Sequence, residues 1–201
     1  MIYLYGASGH AKVIIDILEK NGMIISGLID GNPEIKKLME YAVKPEVEIT
    51  NSDCGVLVSI GNNTSRKRVA ESLNSKFINA IHPNAVLAGR VSLGSGVSIM
   101  AGAVVNSDVT VGNHVILNTN CTVDHDCSIS DFVHISPNAA LAGNVEVGEG
   151  SHVGIGACVI QGIKIGCWAT IGAGAVVIRN VPDYAVVVGN PGKIIKYNHP
   201  K

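Results

Sequence analysis

Two groups of residues in this chain combine side-chain types and spacings that chemistry can use. The first is Gly6-Ala7-Ser8-Gly9-His10, which follows directly on an apolar run. Gly6 and Gly9 let the backbone turn closely, and the amides from Ser8 to His10, at the start of a helix, can receive phosphate oxygens. Asp30 closes the next apolar run, and Gly61-Asn62-Asn63 closes the third. A carboxylate about twenty residues after a glycine turn is placed to accept hydrogen bonds from a ribose or a base. The motif is G-x-S-G-H, short of the full G-x-G-x-x-G, so the site suits a nucleotide and not a dinucleotide. The second group is Asp124-His125-Asp126 with Gly143 eighteen residues later. A histidine can take a proton from an incoming amine or hydroxyl, while a backbone amide free of a side chain can stabilise an oxyanion.

The elements that must position the first group read as strand, turn, helix. Residues 2 to 5 form a strand, and Ala11, Val13, Ile14, Ile17 and Leu18 follow helical spacing. Ile24 to Ile29 form a second strand, followed by a weak helix over 33 to 41, and Val56 to Ile60 form a third. Thr64 can cap a helix running through Leu73, and Lys76 to Ala80 lead out. Alternating strands and helices in so short a stretch make residues 1–80 a small α/β domain with a Rossmann-like parallel sheet, its ligand at the carboxyl ends of the strands.

The second group stands in a repeat. From Ile81, Leu87, Leu93 and Ile99 through Val177, every sixth residue is aliphatic, seventeen in succession. Two residues before each stands mostly a small or β-branched residue, such as Ala85, Val91 and Val97, and three after stands mainly Gly, Asn or Asp. Those types tolerate positive φ at a corner. Each hexad is one short strand and one turn, and three hexads close a triangular coil of eighteen residues that stacks as parallel β at about 4.8 Å. Residues 81–180 thus give five to six coils of a parallel β-helix, with 181–201 as a C-terminal cap. Gly143 then lies one strand spacing from His125, and His134 and His152 stack likewise. Gly154 and Gly172 form one column, where missing side chains let a ligand approach the backbone; Gly156 and Gly174 read as plain corners.

Composition narrows the partners. With 201 residues, a net charge of -1 and only 15% charged residues, the chain has no basic footprint for nucleic acid. Its apolar runs are short and interrupted, which argues against membrane insertion, and the start lacks a basic signal sequence; a cytoplasmic protein is expected. Five cysteines without CxxC spacing read as reduced core thiols.

The hexads and the terminal Gly189-Asn190-Pro191-Gly192-Lys193 resemble the left-handed β-helix acyltransferases. Tyr5-Gly6-Ala7-Ser8-Gly9-His10, Ile60-Gly61-Asn62-Asn63, Leu117-Asn118-Thr119, Asp124-His125-Asp126-Cys127 and Leu141-Ala142-Gly143-Asn144 narrow the match. They resemble the bacterial nucleotide-sugar N-acetyltransferases that acetylate UDP-4-amino-sugars, and the related sialic acid O-acetyltransferases. The resemblance implies a left-handed helix and a homotrimer with acetyl-CoA in the groove between neighbouring β-helices. It makes His125 the general base and Asp126 the acid that orients it, although relatives often carry Glu there and Asp124 is a second candidate. Gly143 supplies the oxyanion amide. Asn118, His134, Gly143, Gly154, Ile155, Gly172 and Ala173 form the acetyl-CoA set, and Gly6, Ser8, Gly9, His10, Asp30, Gly61, Asn62 and Asn63 the nucleotide-sugar set. His82, His114, His152 and His199 receive no role.

The expected reaction is transfer of acetyl from acetyl-CoA to the amino group of a nucleotide-linked sugar, without a metal. Sialic acid O-acetylation is the alternative, and a non-catalytic solenoid that binds sugar nucleotides a lesser one. A β-helix hydratase would need three histidines meeting on one zinc, and the only eighteen-residue pair, 134 and 152, has no third partner.

Overall fold

A computed structural model describes residues 1–45 and 54–198; His199 lies outside them. The first part contains β1 (Ile2–Tyr5), α1 (Gly9–Lys20), β2 (Ile25–Ile29), β3 (Lys37–Leu38), β4 (Tyr41–Lys44), β5 (Gly55–Val58), α2 (Asn63–Ser72) and β6 (Lys76–Phe77). They form one sheet in the order β3-β4-β2-β1-β5-β6, parallel except for the β3–β4 pair. The helix expected over 33 to 41 is instead an antiparallel hairpin, Lys37 opposite Ala42 and Leu38 opposite Tyr41. The free edge of β2 decides this: Leu28 pairs with Val43 and Ile29 with Lys44, and a ladder along that edge outweighs a weak local helical preference. On α1 the buried residues are Ala11, Ile14, Ile15, Ile17 and Leu18, whereas Val13, expected on the apolar face, is 40% exposed.

From Ala80–Ile81 onward the chain is a left-handed parallel β-helix whose two-residue strands stack in columns of six, six and five. Register follows the eighteen-residue coil, as in Ile99 on Leu117 and Leu117 on Ile135, until the last coil, where Ile171 pairs with Val187. The aliphatic residue of each hexad and the one two before it point inward. Leu117, Val123, Ile135, Cys121 and Val133 are all at most 1% exposed. Burying an aliphatic side chain contributes about 1.5–3 kcal/mol, and here the contribution repeats at every rung.

At the corners every sixth residue from Gly96 to Gly174 has a positive φ. Most are Gly, Asn or Asp, as the hexad pattern predicts. His114, Phe132 and Trp168 depart from it, at φ 54, 58 and 54. Bulky residues there cost free energy, and the compensation is tertiary. His114 stacks on Phe132 at 5.1 Å and meets the Phe77 ring edge-on at 4.5 Å, so one line of corners becomes the surface on which the α/β domain rests. On the other side of that domain, Ile14, Ile17 and Leu18 of α1 share a core with Ala80, Met100 and Ile116 of the solenoid.

At the far end Ala185–Val188 continues the stack in parallel on Thr170–Ile171, and Lys193–Tyr197 folds back antiparallel upon it. This return covers the last open strand edge. Among the described residues no helix is long and apolar enough to cross a membrane.

The inward and outward positions predict a sharp contrast in stability. Leu117→Ala, at a fully buried rung, should cost about 2–5 kcal/mol in denaturant unfolding. Thr110→Ala, on an outward position, should stay within about 0.5 kcal/mol.

Candidate active site

The coil register brings His125 and Gly143 together. A Cβ on Gly143 would stand 2.6 Å from His125 Cε1 and 2.7 Å from Nε2, so only glycine fits beneath the ring. The Gly143 carbonyl accepts from Gly162 N, but among the described residues no backbone carbonyl accepts from the Gly143 N–H. That donor is open to an incoming oxygen. His125 Nδ1 lies 2.7 Å from Asp126 Oδ2, which leaves Nε2 as the outward nitrogen. Asp124 acts differently. Its Oδ1 accepts from the His125 backbone N–H at 2.8 Å and from Asn106 Nδ2 at 2.7 Å. One acid thus orients the ring and the other the backbone. The shorter Asp reaches because Asp126 occupies a left-handed corner, at φ 60. Its hydrogen bond, followed by the charge of Asp124, raises the His125 pKa above the ordinary 6.5. The same contacts, Asn106 first, hold Asp124 low.

The glycine turn faces the solenoid across the domain seam. Gly6, at φ 110, packs so closely on Ile60 that a Cβ would stand 2.7 Å from its Cγ1. The Ser8 side chain makes no capping bond to α1, and a Cβ on Gly9 would meet nothing, so the first turn of that helix is open to an anion. Asp30 departs from expectation. Its Oδ2 accepts from Ala7 N at 2.7 Å and its Oδ1 from Asn32 N at 2.8 Å, so the carboxylate first serves to hold the glycine turn. The asparagines depart too. Asn62 Oδ1 accepts from Ser65 N and caps α2, the role assigned to Thr64 from sequence. Asn63 Nδ2 donates to Gly150 O and Ser151 O at 3.0 and 3.2 Å, binding α2 to the solenoid.

His134 stands on the solenoid wall facing that seam, its Nε2 2.9 Å from Asn118 Nδ2. It stacks on His152 at 4.8 Å, and His152 Nε2 meets Ser136 Oγ at 2.7 Å. Both rings line a groove of about 880 Å³ between α2 and the last coils, with Asn63, Lys67, Trp168 and Tyr184. Gly154 and Gly172 stack as expected, but the reason is packing. A Cβ on Gly154 would stand 2.6 Å from Ile171 O, and one on Gly172 2.8 Å from Val188 Cγ1, so their missing side chains make room for the next coil. Ile155 and Ala173 beside them form an exposed apolar ledge. Among the described residues no group of three His, Cys, Asp or Glu could hold a metal ion.

Residues 1–73 match the family model of the PglD N-terminal domain. The chain is 39% identical over 110 residues to the UDP-N-acetylbacillosamine N-acetyltransferase of Bacillus subtilis (strain 168), covering 50% of this chain and 51% of that protein. The match therefore spans about half of that relative's length. Among solved structures, PerB from Caulobacter crescentus in complex with CoA and GDP-perosamine superposes with a TM-score of 0.91 at 36% identity, covering 97% of each chain. The chain belongs to the left-handed β-helix nucleotide-sugar N-acetyltransferases. A second member, the acetyltransferase domain of PglB from Neisseria gonorrhoeae FA1090 in complex with acetyl coenzyme A, has a TM-score of 0.90 at 34% identity, covering 96% of this chain and 98% of that one.

In this member of the N-acetyltransferases, two residues of the seam, Arg66 and Lys67, carry no signal in the sequence. Both stand on α2 in a stretch that reads as an ordinary polar helix. Arg66 is 1% exposed, and Lys67 bonds Glu149 while its Nζ lies 5.7 Å from the Trp168 ring. Burial lowers the Arg66 pKa to about 9, which leaves it charged at neutral pH. Burial, with that charge adding to it, lowers His10 to about 4; His134 falls to about 3, chiefly through burial and then His152 and Arg66.

These environments set an order of titration that NMR of the ring protons can read. As pH falls, His125 should protonate first, above 6.5, with His10 following near 4 and His134 near 3. Asp126→Asn should move the His125 titration down. Because the seam histidines are depressed in the folded state, their contribution to stability is complete above 6.5 and drains away as pH falls toward 4 and 3. Titration of all three in one step would contradict the arrangement.

Proposed function

We propose that this chain transfers acetyl from acetyl-CoA to the amino group of a nucleotide-linked amino sugar, a 4-amino-sugar, in bacterial glycan synthesis. The observation that carries the reading is the His125 corner, where an oriented imidazole and an open backbone N–H meet. His125 Nε2 accepts the proton of the attacking amine as the new C–N bond forms. The thioester oxygen becomes an oxyanion facing the Gly143 N–H. The C–S bond then breaks, and the imidazolium returns its proton to the CoA thiolate. Acetyl-CoA lies along the Ile155 and Ala173 ledge, with Asn118 and His134 at its reacting end. The nucleotide diphosphate rests on the first turn of α1, at Gly6, Ser8, Gly9 and His10, with Asp30 fixing the turn and Gly61, Asn62 and Asn63 forming the floor toward the solenoid.

The protein works as a homotrimer in the cytoplasm. On one chain His125 and His134 belong to different faces, one on a corner after the second sheet and the other on a strand of the first. A complete site therefore takes His125 from one chain and His134 from the next. Val86, Ile155, Ile160 and Ile178, between 39% and 60% exposed, give the solenoid an apolar surface for that contact. Sedimentation should find three chains, and a stable monomer at micromolar concentration would refute the shared site.

Release of CoA thiol is the direct test, with acetyl-CoA offered alongside UDP-, dTDP- and GDP-linked 4-amino-sugars and free sialic acid. A nucleotide-linked amino sugar should be the best acceptor; preference for free sialic acid would transfer the reading to O-acetylation. His125→Ala should lower kcat by about 10²- to 10⁴-fold while acetyl-CoA binding stays unchanged.

A further inference from the structure

A buried arginine with every bond directed to oxygen occupies the seam between the two domains. Arg66 Nε donates to His114 O at 2.8 Å, and Nη2 donates to Phe132 O at 2.8 Å and to Asn63 Oδ1 at 2.9 Å. Nη1 donates to Ile60 O and Gly61 O, each at 3.1 Å. The acceptors lie on two stacked solenoid corners, on the loop that enters α2 and on the first residue of that helix. Among the described residues no carboxylate is paired with it in an ion pair. A planar, charged fork bonded to backbone on both sides fixes one relative position. The apolar contacts of α1 with Met100 and Ile116 are non-directional and would tolerate sliding.

The peptide that Arg66 grips stands between two of the site's imidazoles. His10 Cγ is 3.9 Å from where a Gly61 Cβ would lie, and the Gly61 backbone also faces the His134 ring. A shift of Gly61 along the solenoid would change its fit to His10 on the nucleotide side and to His134 on the acetyl-CoA side. The solenoid core contains neither Gly61 nor any other residue of the α/β domain, so its own packing does not depend on this grip.

We infer that Arg66 is a positioning residue of the transfer reaction, setting the height of the nucleotide-holding loop on the β-helix and so the distance from the bound sugar to the His134 wall. The inference rests on the acetyl-transfer reading. Misplacement of reacting groups by about 1 Å costs on the order of 10²-fold in rate. Arg66→Met should accordingly lower kcat by about 10- to 100-fold, with the Kd of the nucleoside diphosphate rising by a smaller factor, because α1 and its glycine turn remain intact while only the floor at Gly61 to Asn63 shifts. Arg66→Lys, keeping the charge and part of the bonding, should recover some of the rate. A role in folding alone would reduce binding and turnover together with the folded fraction.

Amide hydrogen exchange supplies a readout independent of activity. Both variants should exchange faster over Gly61 to Ser65, with Leu117 and Val123 protected as in the wild type. Arg66→Met with wild-type kcat and wild-type exchange over Gly61 to Ser65 would overturn the inference; if that variant does not fold, the same two outcomes are read on Arg66→Lys. If the wild type releases no thiol with any nucleotide-linked amino sugar, it is the acetyl-transfer reading that has failed. Exchange then decides the positional claim: faster exchange at the loop alone supports it, and unchanged exchange overturns it.

Discussion

The backbone of each coil must hydrogen-bond to the coil eighteen residues away, and the rest of the structure depends on that closure. Val104 N donates to Cys121 O and Thr122 N to Ala139 O, and the same step repeats along the solenoid. Closure at a triangle needs a left-handed residue every sixth position, which is why Gly, Asn and Asp recur at the corners. It also turns sequence distance into spatial position. A histidine and a glycine eighteen apart become neighbours, and two histidines eighteen apart become a stack.

The departures from the corner rule join the repeat to the rest of the chain. His114, Phe132 and Trp168 accept an unfavourable backbone conformation, and Phe77, Arg66 and Lys67 of the α/β domain meet them there. Ligand-like polar residues are drawn into the same seam. Asn62 caps a helix, Asn63 ties that helix to Gly150 and Ser151, and Asp30 braces the glycine turn. Such residues shape the cleft through the backbone they hold.

The histidines divide by environment. His125 stands in solvent between two carboxylates and is raised toward the charged form. His10 and His134 are buried and feel the Arg66 guanidinium, so they stay neutral, and their nitrogens remain able to donate or accept without a change of charge. One type of side chain is thus tuned toward protonation on one face and held neutral on another.

The sequence alone determined the β-helix, its coil length, the pairing of His125 with Gly143, and the strand-turn-helix that opens the chain, because these follow from periodicities of two, six and eighteen that local geometry enforces. Resemblance of short motifs added the left-handed sense and the membership of the N-acetyltransferases. Tertiary structure decided the rest. The segment over 33 to 41 became a hairpin because the edge of β2 was free, and Gly154 and Gly172 proved to be spacers between coils. Arg66 could not be read at all, since a charged residue on a polar helix has the same local pattern whether it faces water or a ring of carbonyl oxygens. Which of these it faces is set by how two domains meet, a relation between residues as far apart as Arg66 and Phe132 that no local period encodes.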